Sequence, residues 1–247
     1  MSRKVRIHKL AKNILDAHPY GYYGALLKGK KGTGKSTYCI HVAAQVYYLL
    51  SRLPDEERYI HLEKNISYEE AYHIALDHTK FKLNDIIKTL RSLRGALRDT
   101  RKMCPCVIWD DAGVYAGSGL YHEDRSQESK VRKYNNIIRT RCTGWLINTP
   151  VVSGLTTALR KTDDVVITIT DNSGEKNIDE QGRDKTINKY RRLATGVIKK
   201  ERSRWGKTVI RDDFRCRLPY KSVHSRYIDM KEEAFEETED TIGEVDV

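Results

Sequence analysis

No run in this 247-residue chain approaches the roughly 18 consecutive apolar residues of a membrane span, and residues 1–10 lack the apolar core of a signal peptide. A cytoplasmic protein without membrane contact is the expectation. Cysteine is scarce and badly placed for zinc: among Cys39, Cys104, Cys106, Cys142 and Cys216 the one close pair is separated by a single residue, and no second pair follows. Buried thiols are expected, with an intracellular disulfide as the hyperthermophile alternative. Glutamine is nearly absent, at three residues, whereas charged residues make up 32% of the chain.

The charge is abundant and uneven. Net charge is +11, but residues 229–247 hold nine acids against the single Lys231, so residues 1–228 carry +19. Such a basic body points to a polyanionic partner, most simply DNA, or to the solvated charged surface of a heat-adapted protein. The acidic tail, 229–247, reads as disordered; it would compete with DNA, recruit a protein partner, or add solubility. The length fits one large domain, or a domain with an extension.

The chain is organised around Gly29-Lys30-Lys31-Gly32-Thr33-Gly34-Lys35-Ser36, which matches the spacing glycine, four residues, Gly-Lys-Ser. Glycines let the backbone curl until successive N–H groups face one anion, and a following helix turns its positive dipole end to the same place. Lys35 then reaches the β- and γ-phosphates and the Ser36 hydroxyl holds Mg²⁺, with Thr37 closing the segment. The flanks agree: 22–27 reads as a short buried strand and 37–50 as a helix.

A second apolar strand, 106–109, ends in Asp110-Asp111. An acid at the carboxyl end of such a strand orients Mg²⁺ beside the loop serine, the role expected of Asp110. Asp111 is the candidate water-polarising base, or a helix cap. A third strand from 144 ends in Asn148-Thr149-Pro150, where Asn148 or Thr149 would sense the γ-phosphate water, or simply form a turn. Arg160 closes a short helix over 151–160 and is read as an arginine finger or a helix-end charge.

Elsewhere, a basic amphipathic helix is expected over 5–17, helices over 68–78, 83–98 and 126–142, a polar loop over 113–125, and a strand over 165–170. A further strand at 58–62 is the one weak candidate between the loop helix and the strand 106–109. Residues 193–200 and 207–217 read as a long hairpin. Lys189 to Arg217 holds eleven basic residues against three acids. Lys199, Lys200, Arg202, Arg204, Trp205 and Lys207 at its tip suit a nucleic-acid backbone with a stacking ring, or a charged edge kept soluble by its lysines.

In order and spacing, these motifs resemble the P-loop ATPases that place an additional strand between the two nucleotide-site strands. The chain looks in particular like the DnaA-like ATPases carried by spindle-shaped viruses and plasmids of thermophilic archaea, through the phrases Trp109-Asp110-Asp111-Ala112-Gly113 and 149–160. The resemblance implies a three-layer α/β domain with a central, mainly parallel sheet over 20–170. The basic helix 1–19 would pack on it, and a β-rich basic extension over 171–228 would belong to the same domain. It implies ATP and Mg²⁺ as ligands, DNA as partner, a homo-oligomer or ring, and a host cytoplasm for a virus-encoded chain.

Two departures bear on function. Asp111 stands where hydrolysing members usually carry Glu, which implies slow turnover. Strands follow residue 164 where DnaA-type proteins have a helical lid, closer to RecA-type or FtsK/HerA-type motors. The functions left in play are a DNA-associated ATPase of replication initiation or remodelling, a translocase or packaging ATPase, and a non-hydrolysing ATP-switched DNA-binding module. A small-molecule kinase is disfavoured, because no arginine-lined lid is set apart.

Overall fold

The computed structural model describes residues 6–92, 101, 103–112, 133–134, 136–150, 155, 165–171, 190–198 and 208–243. Its strands are β1 (Tyr23–Lys28), β2 (Thr79–Lys80), β3 (Cys104–Trp109), β4 (Cys142–Asn148), β5 (Val165–Asp171), β6 (Arg191–Ile198) and β7 (Thr208–Arg215). They form one sheet of order β2-β3-β4-β1-β5-β6-β7. From β2 to β5 all neighbours are parallel, and β6 and β7 continue antiparallel from β5. The parallel strands are buried on both faces, which is why β1, β3 and β4 read as continuous apolar runs rather than alternating ones.

Helices α1 (Lys9–Ala17), α2 (Lys35–Leu50), α3 (Tyr68–Asp77) and α5 (Lys221–Gly243) cover one face, and α4 (Leu83–Ser92) covers the other. Alternate strand residues feed the two cores: Ala25, Leu27, Ile108 and Leu146 join the first, and Leu26, Val107, Trp145 and Ile147 the second. This is a three-layer α/β architecture. α2 is buried nearly all round, from Tyr38 to Tyr47, because the sheet lies beneath it and α1 and α3 flank it.

α3 begins with a reciprocal cap. The Ser67 Oγ accepts from Glu70 N at 3.1 Å and Glu70 Oε2 accepts from Ser67 N at 2.6 Å, so both ends of the capping box are made. α1 is held differently. His8 precedes it without a side-chain cap, and Asp212 on β7 takes over: its Oδ1 accepts from Lys9 N at 2.8 Å and its Oδ2 from Leu10 N at 3.3 Å and from the Tyr38 hydroxyl at 2.7 Å. Leu10 and Ile14 are fully buried, each stabilising the fold by about 1.5–3 kcal/mol. α1 crosses β4 so closely that a Cβ at Gly144 would lie 2.9 Å from Ile14 Cγ2.

Several expectations are revised. Residues 58–62 form turns, and the strand beside β3 is the two-residue β2, whose ladder continues through Asp110 N to Lys80 O at 2.9 Å. Residues 136–141 are helical, but Cys142 already begins β4. The hairpin of β6 and β7 forms as expected, yet it is an integral part of the central sheet.

The acidic tail is corrected most. Residues 221–243 form α5, where disorder was expected after 228. Val223, Tyr227 and Ala234 bury a stripe at helical spacing, with Met230 packed beside it, whereas Asp229, Glu232, Glu233, Glu236 and Glu237 are exposed, Glu237 pairing with Lys82. The five cysteines are free. Among the described residues no helix is long and apolar enough to cross a membrane.

Candidate functional site

The loop after β1 and the carboxyl ends of β3 and β4 meet at one end of the sheet, beyond the strand termini, where ligands of open α/β folds bind. Gly29, Gly32 and Gly34 have φ of 152°, 80° and 87°, backbone that side chains rarely adopt. At Gly34 space is limiting as well, because an added Cβ would lie 2.6 Å from Cys216 Cβ, at the end of β7. The turn is closed by Thr33, whose Oγ1 donates to Lys30 O at 2.9 Å. Lys30 and Lys31 are exposed on its outside.

Lys35 and Ser36 open α2, so the loop ends on the amino-terminus of a 16-residue helix. Thr37 follows, half-buried, in the first turn. Lys35 is buried, and its Nζ donates to Gly29 O and Lys30 O, both at 3.1 Å. Burial lowers its pKa, while Asp111 and Asp110 nearby oppose that shift.

Asp110 is fully buried at the end of β3. Its Oδ1 accepts from Ser36 Oγ at 2.8 Å and from Asn148 Nδ2, and its Oδ2 accepts from the Tyr227 hydroxyl at 2.6 Å. Asn148 Nδ2 also donates to Ser36 Oγ at 2.9 Å. Burial and the neighbouring Asp111 push the Asp110 carboxyl above the usual carboxylate range, and the hydrogen bonds from Tyr227 and Ser36 pull it back. The Tyr227 hydroxyl is in turn pushed well up by burial and by Asp110.

Asp111 has φ of 50°, uncommon for a non-glycine residue, and its Oδ2 pairs with Lys231 Nζ at 2.7 Å. Thr149 is buried and donates its backbone N–H to Leu27 O at 3.0 Å, extending the ladder beyond β4, whereas Asn148 is the residue whose side chain enters the cluster.

The additional strand β4 thus stands between β1, which carries the loop, and β3, which carries the paired acids. The glycine-lysine loop, the acid-ended strand and the strand between them thus have the arrangement of a P-loop fold of the additional-strand class. Arg160 and the hairpin-tip residues Lys199, Lys200, Arg202, Arg204, Trp205 and Lys207 lie outside the described residues.

The donors fit the ligands that such a fold implies. Hydroxyl and carboxylate oxygens from Ser36 and Asp110 converge as hard ligands suited to Mg²⁺. Asn148 Oδ1, whose amide nitrogen joins the cluster, is a buried acceptor without a hydrogen-bond partner among the described residues. Among the described residues no three His, Cys, Asp or Glu side chains form a metal cluster. A Mg²⁺ held by one or two protein oxygens, with phosphates and water completing its shell, needs none. A separate cavity of about 550 Å³, lined by Arg6, His41, Tyr72, Arg215 and Arg217 among others, shares no residue with the loop or the acids. The site is therefore placed by the loop and the strand ends.

Sequence reasoning missed Tyr227 and Lys231. The signal was present as Val223, Tyr227, Met230 and Ala234 at helical spacing, masked by the surrounding glutamates.

No protein-family model matches the P-loop chain. It is 27% identical over 237 residues to uncharacterized protein B-251 of Sulfolobus spindle-shape virus 1, a match spanning 94% of this chain and 85% of that protein. Among solved structures it is similar to the N-terminal domain of zonular occludens toxin from Neisseria meningitidis, at TM-score 0.42 and 10% identity over 83% of this chain and 98% of that one. It is also similar to the genome packaging NTPase B204 of Sulfolobus turreted icosahedral virus 2 in complex with ATP-gammaS, at TM-score 0.36 and 14% identity over 72% and 92% of the two chains. A third is the flagellar accessory protein FlaH from Methanocaldococcus jannaschii, at TM-score 0.39 and 15% identity over 86% and 92%.

Proposed function

We propose that the chain binds and hydrolyses ATP with Mg²⁺ at this site, and that it works as an oligomeric, DNA-associated ATPase in the replication initiation or remodelling of viral or plasmid DNA. The observation that carries the ATPase reading is the convergence of Ser36, Asp110 and Asn148 from three separate segments beside the buried Lys35. The DNA reading is supported by the charge of +19 on residues 1–228.

In this reading the loop amides and the amino-terminus of α2 bind the phosphates, and Lys35 leaves the carbonyls of Gly29 and Lys30 to pair with them. Ser36 and Asp110 would hold Mg²⁺, which would offset negative charge on the phosphates. Asn148 and Asp111 orient the attacking water. Arg160 remains the finger proposed for a neighbouring subunit.

A second reading is an FtsK/HerA-type translocase or packaging ATPase. It is favoured by β6 and β7, which extend the sheet with antiparallel strands where an initiator would carry a helical lid.

The test is the ATPase rate of the purified protein alone, with single-stranded DNA and with duplex DNA, beside Lys35→Ala and Arg160→Ala. Stimulation by DNA that both substitutions remove is expected; a preference for single strands supports initiation, and one for duplex supports translocation. Turnover indifferent to DNA would overturn the DNA-dependent role. Tight ATP binding without turnover would leave a nucleotide-switched binding module.

A further inference from the structure

The two acids at the end of β3 are met by two residues of one helix. Tyr227 reaches Asp110 and Lys231, one turn further along α5, reaches Asp111. A helix advances about 6 Å over four residues, which lets one face address two neighbouring side chains at a strand end. α5 is fixed where it does so: Val223, Tyr227 and Ala234 are buried, Ser222 donates to Glu69 at 2.6 Å, Arg226 pairs with Asp77, and Lys82 pairs with Glu237. A rigid element therefore delivers the Lys231 ammonium to the site.

We propose that Lys231 is a catalytic cation supplied by the chain to its own nucleotide site: on ATP binding its ammonium moves from Asp111 to the γ-phosphate, leaving Asp111 to orient water. This role rests on the ATPase reading above. Its basis is a charge balance. Lys35, Lys231, Asp110 and Asp111 share a small, partly desolvated space, with the Lys231 and Asp111 side chains 30% and 18% exposed. Lys231 is near enough to Lys35 to contribute to lowering that group's pKa, behind the larger effect of burial. The four formal charges cancel. A nucleoside triphosphate remains anionic with Mg²⁺ bound, so its arrival leaves the site short of positive charge, and the ammonium on a flexible stem is the group that can follow.

In the step itself the water oxygen forms a bond to the γ-phosphorus, and the bond from that phosphorus to the bridging oxygen breaks, its electron pair leaving with ADP. The water proton passes to Asp111 and on to the departing phosphate. Lys231 keeps its proton throughout and acts by charge on the γ-phosphate oxygens. A positive side chain placed there in advance needs little reorganisation during the reaction.

The experiment compares the full chain with Lys231→Met and Lys231→Arg in three measurements: turnover, affinity for a fluorescent ATP analogue with Mg²⁺, and amide hydrogen exchange of residues 221–243 with and without ATPγS. The expected result is a fall in kcat of about a hundredfold in Lys231→Met, with a smaller loss of affinity, of about tenfold, because the contact is already made on binding. Substantial recovery is expected in Lys231→Arg, and α5 should stay as protected with nucleotide as without it. Unchanged or faster turnover in Lys231→Met would overturn the role. So would loss of α5 protection on nucleotide binding, which would make the helix a plug that ATP displaces. Absence of turnover in the wild-type protein would overturn the ATPase reading itself, and the role of Lys231 with it.

Discussion

The Tyr227 hydroxyl donates a 2.6 Å hydrogen bond to Oδ2 of Asp110, across 117 residues of sequence. The bond joins the carboxyl-terminal helix to the acid at the centre of the site, and it is made in a buried environment to a carboxylate. Hydrogen bonds to charged groups contribute about 1.5–3 kcal/mol. Tyr227→Phe, which keeps the ring in its packing, should destabilise the protein by that amount. Guanidinium denaturation of the two proteins checks it, with the slope of the transition unchanged.

Asp212 performs three tasks at once, accepting from Lys9 N, Leu10 N and the Tyr38 hydroxyl. Asp212→Ala removes the cap of α1 and leaves a buried hydroxyl without its acceptor. The sum of those two losses is about 2–4 kcal/mol, the larger part from the unsatisfied tyrosine. Equilibrium unfolding measures it, and Tyr38→Phe in the same background should recover part of the loss.

The loop glycines should separate backbone strain from crowding. Gly32 has φ of 80° with nothing within 4 Å of an added Cβ, whereas Gly34 has φ of 87° and meets Cys216 at 2.6 Å. Gly32→Ala should lower stability by about 1 kcal/mol, the strain of a left-handed alanine. Gly34→Ala should lower it by about 2 kcal/mol or more and weaken ATP binding, because the end of β7 must shift. Thermal unfolding and titration with a fluorescent nucleotide distinguish the two.

Stability should fall in mild acid. Burial holds His41 at a pKa of about 4 against an ordinary value of 6.5, and His18 is likewise held at about 4. The unfolded chain therefore binds protons that the folded one refuses. The histidine contribution is complete above pH 6.5 and is lost as pH falls towards 4. For the nearly buried His41 the loss is on the order of 3 kcal/mol. Denaturation midpoints measured between pH 7 and pH 4.5 should decline steadily; a flat profile would contradict the assignment of neutral, buried imidazoles.

Much of the fold was legible because its strongest elements announce themselves locally. The glycine-lysine loop has one conformation that its residues favour, and the buried runs of β1, β3 and β4 cannot lie elsewhere than inside a sheet. Asp110 followed from its place at a strand end, and the grouping of Ser36, Asp110 and Asn148 followed from those strands being neighbours. Long-range matters were harder to read. A two-residue strand such as β2 has too few residues to show a period, and its identity depends on β3 lying beside it. α5 was hidden by charge: its acids dominate the composition of the tail, although a narrow stripe headed by Val223 and Tyr227 is enough to dock it. Tyr227 and Lys231 could be assigned to the site only once that docking placed them over β3.

The grip of Asp212 on the amino-terminus of α1 closes a span of 203 residues. A contact of that separation pays its loop entropy only after the intervening strands have ordered, so it belongs to the slow end of folding. Until β7 has joined the sheet, the first amides of α1 and the Tyr38 hydroxyl have only water as partner. The helix that lies across β4 is thus tied to the far edge of the sheet, and its capped amino-terminus reports that β7 is in place.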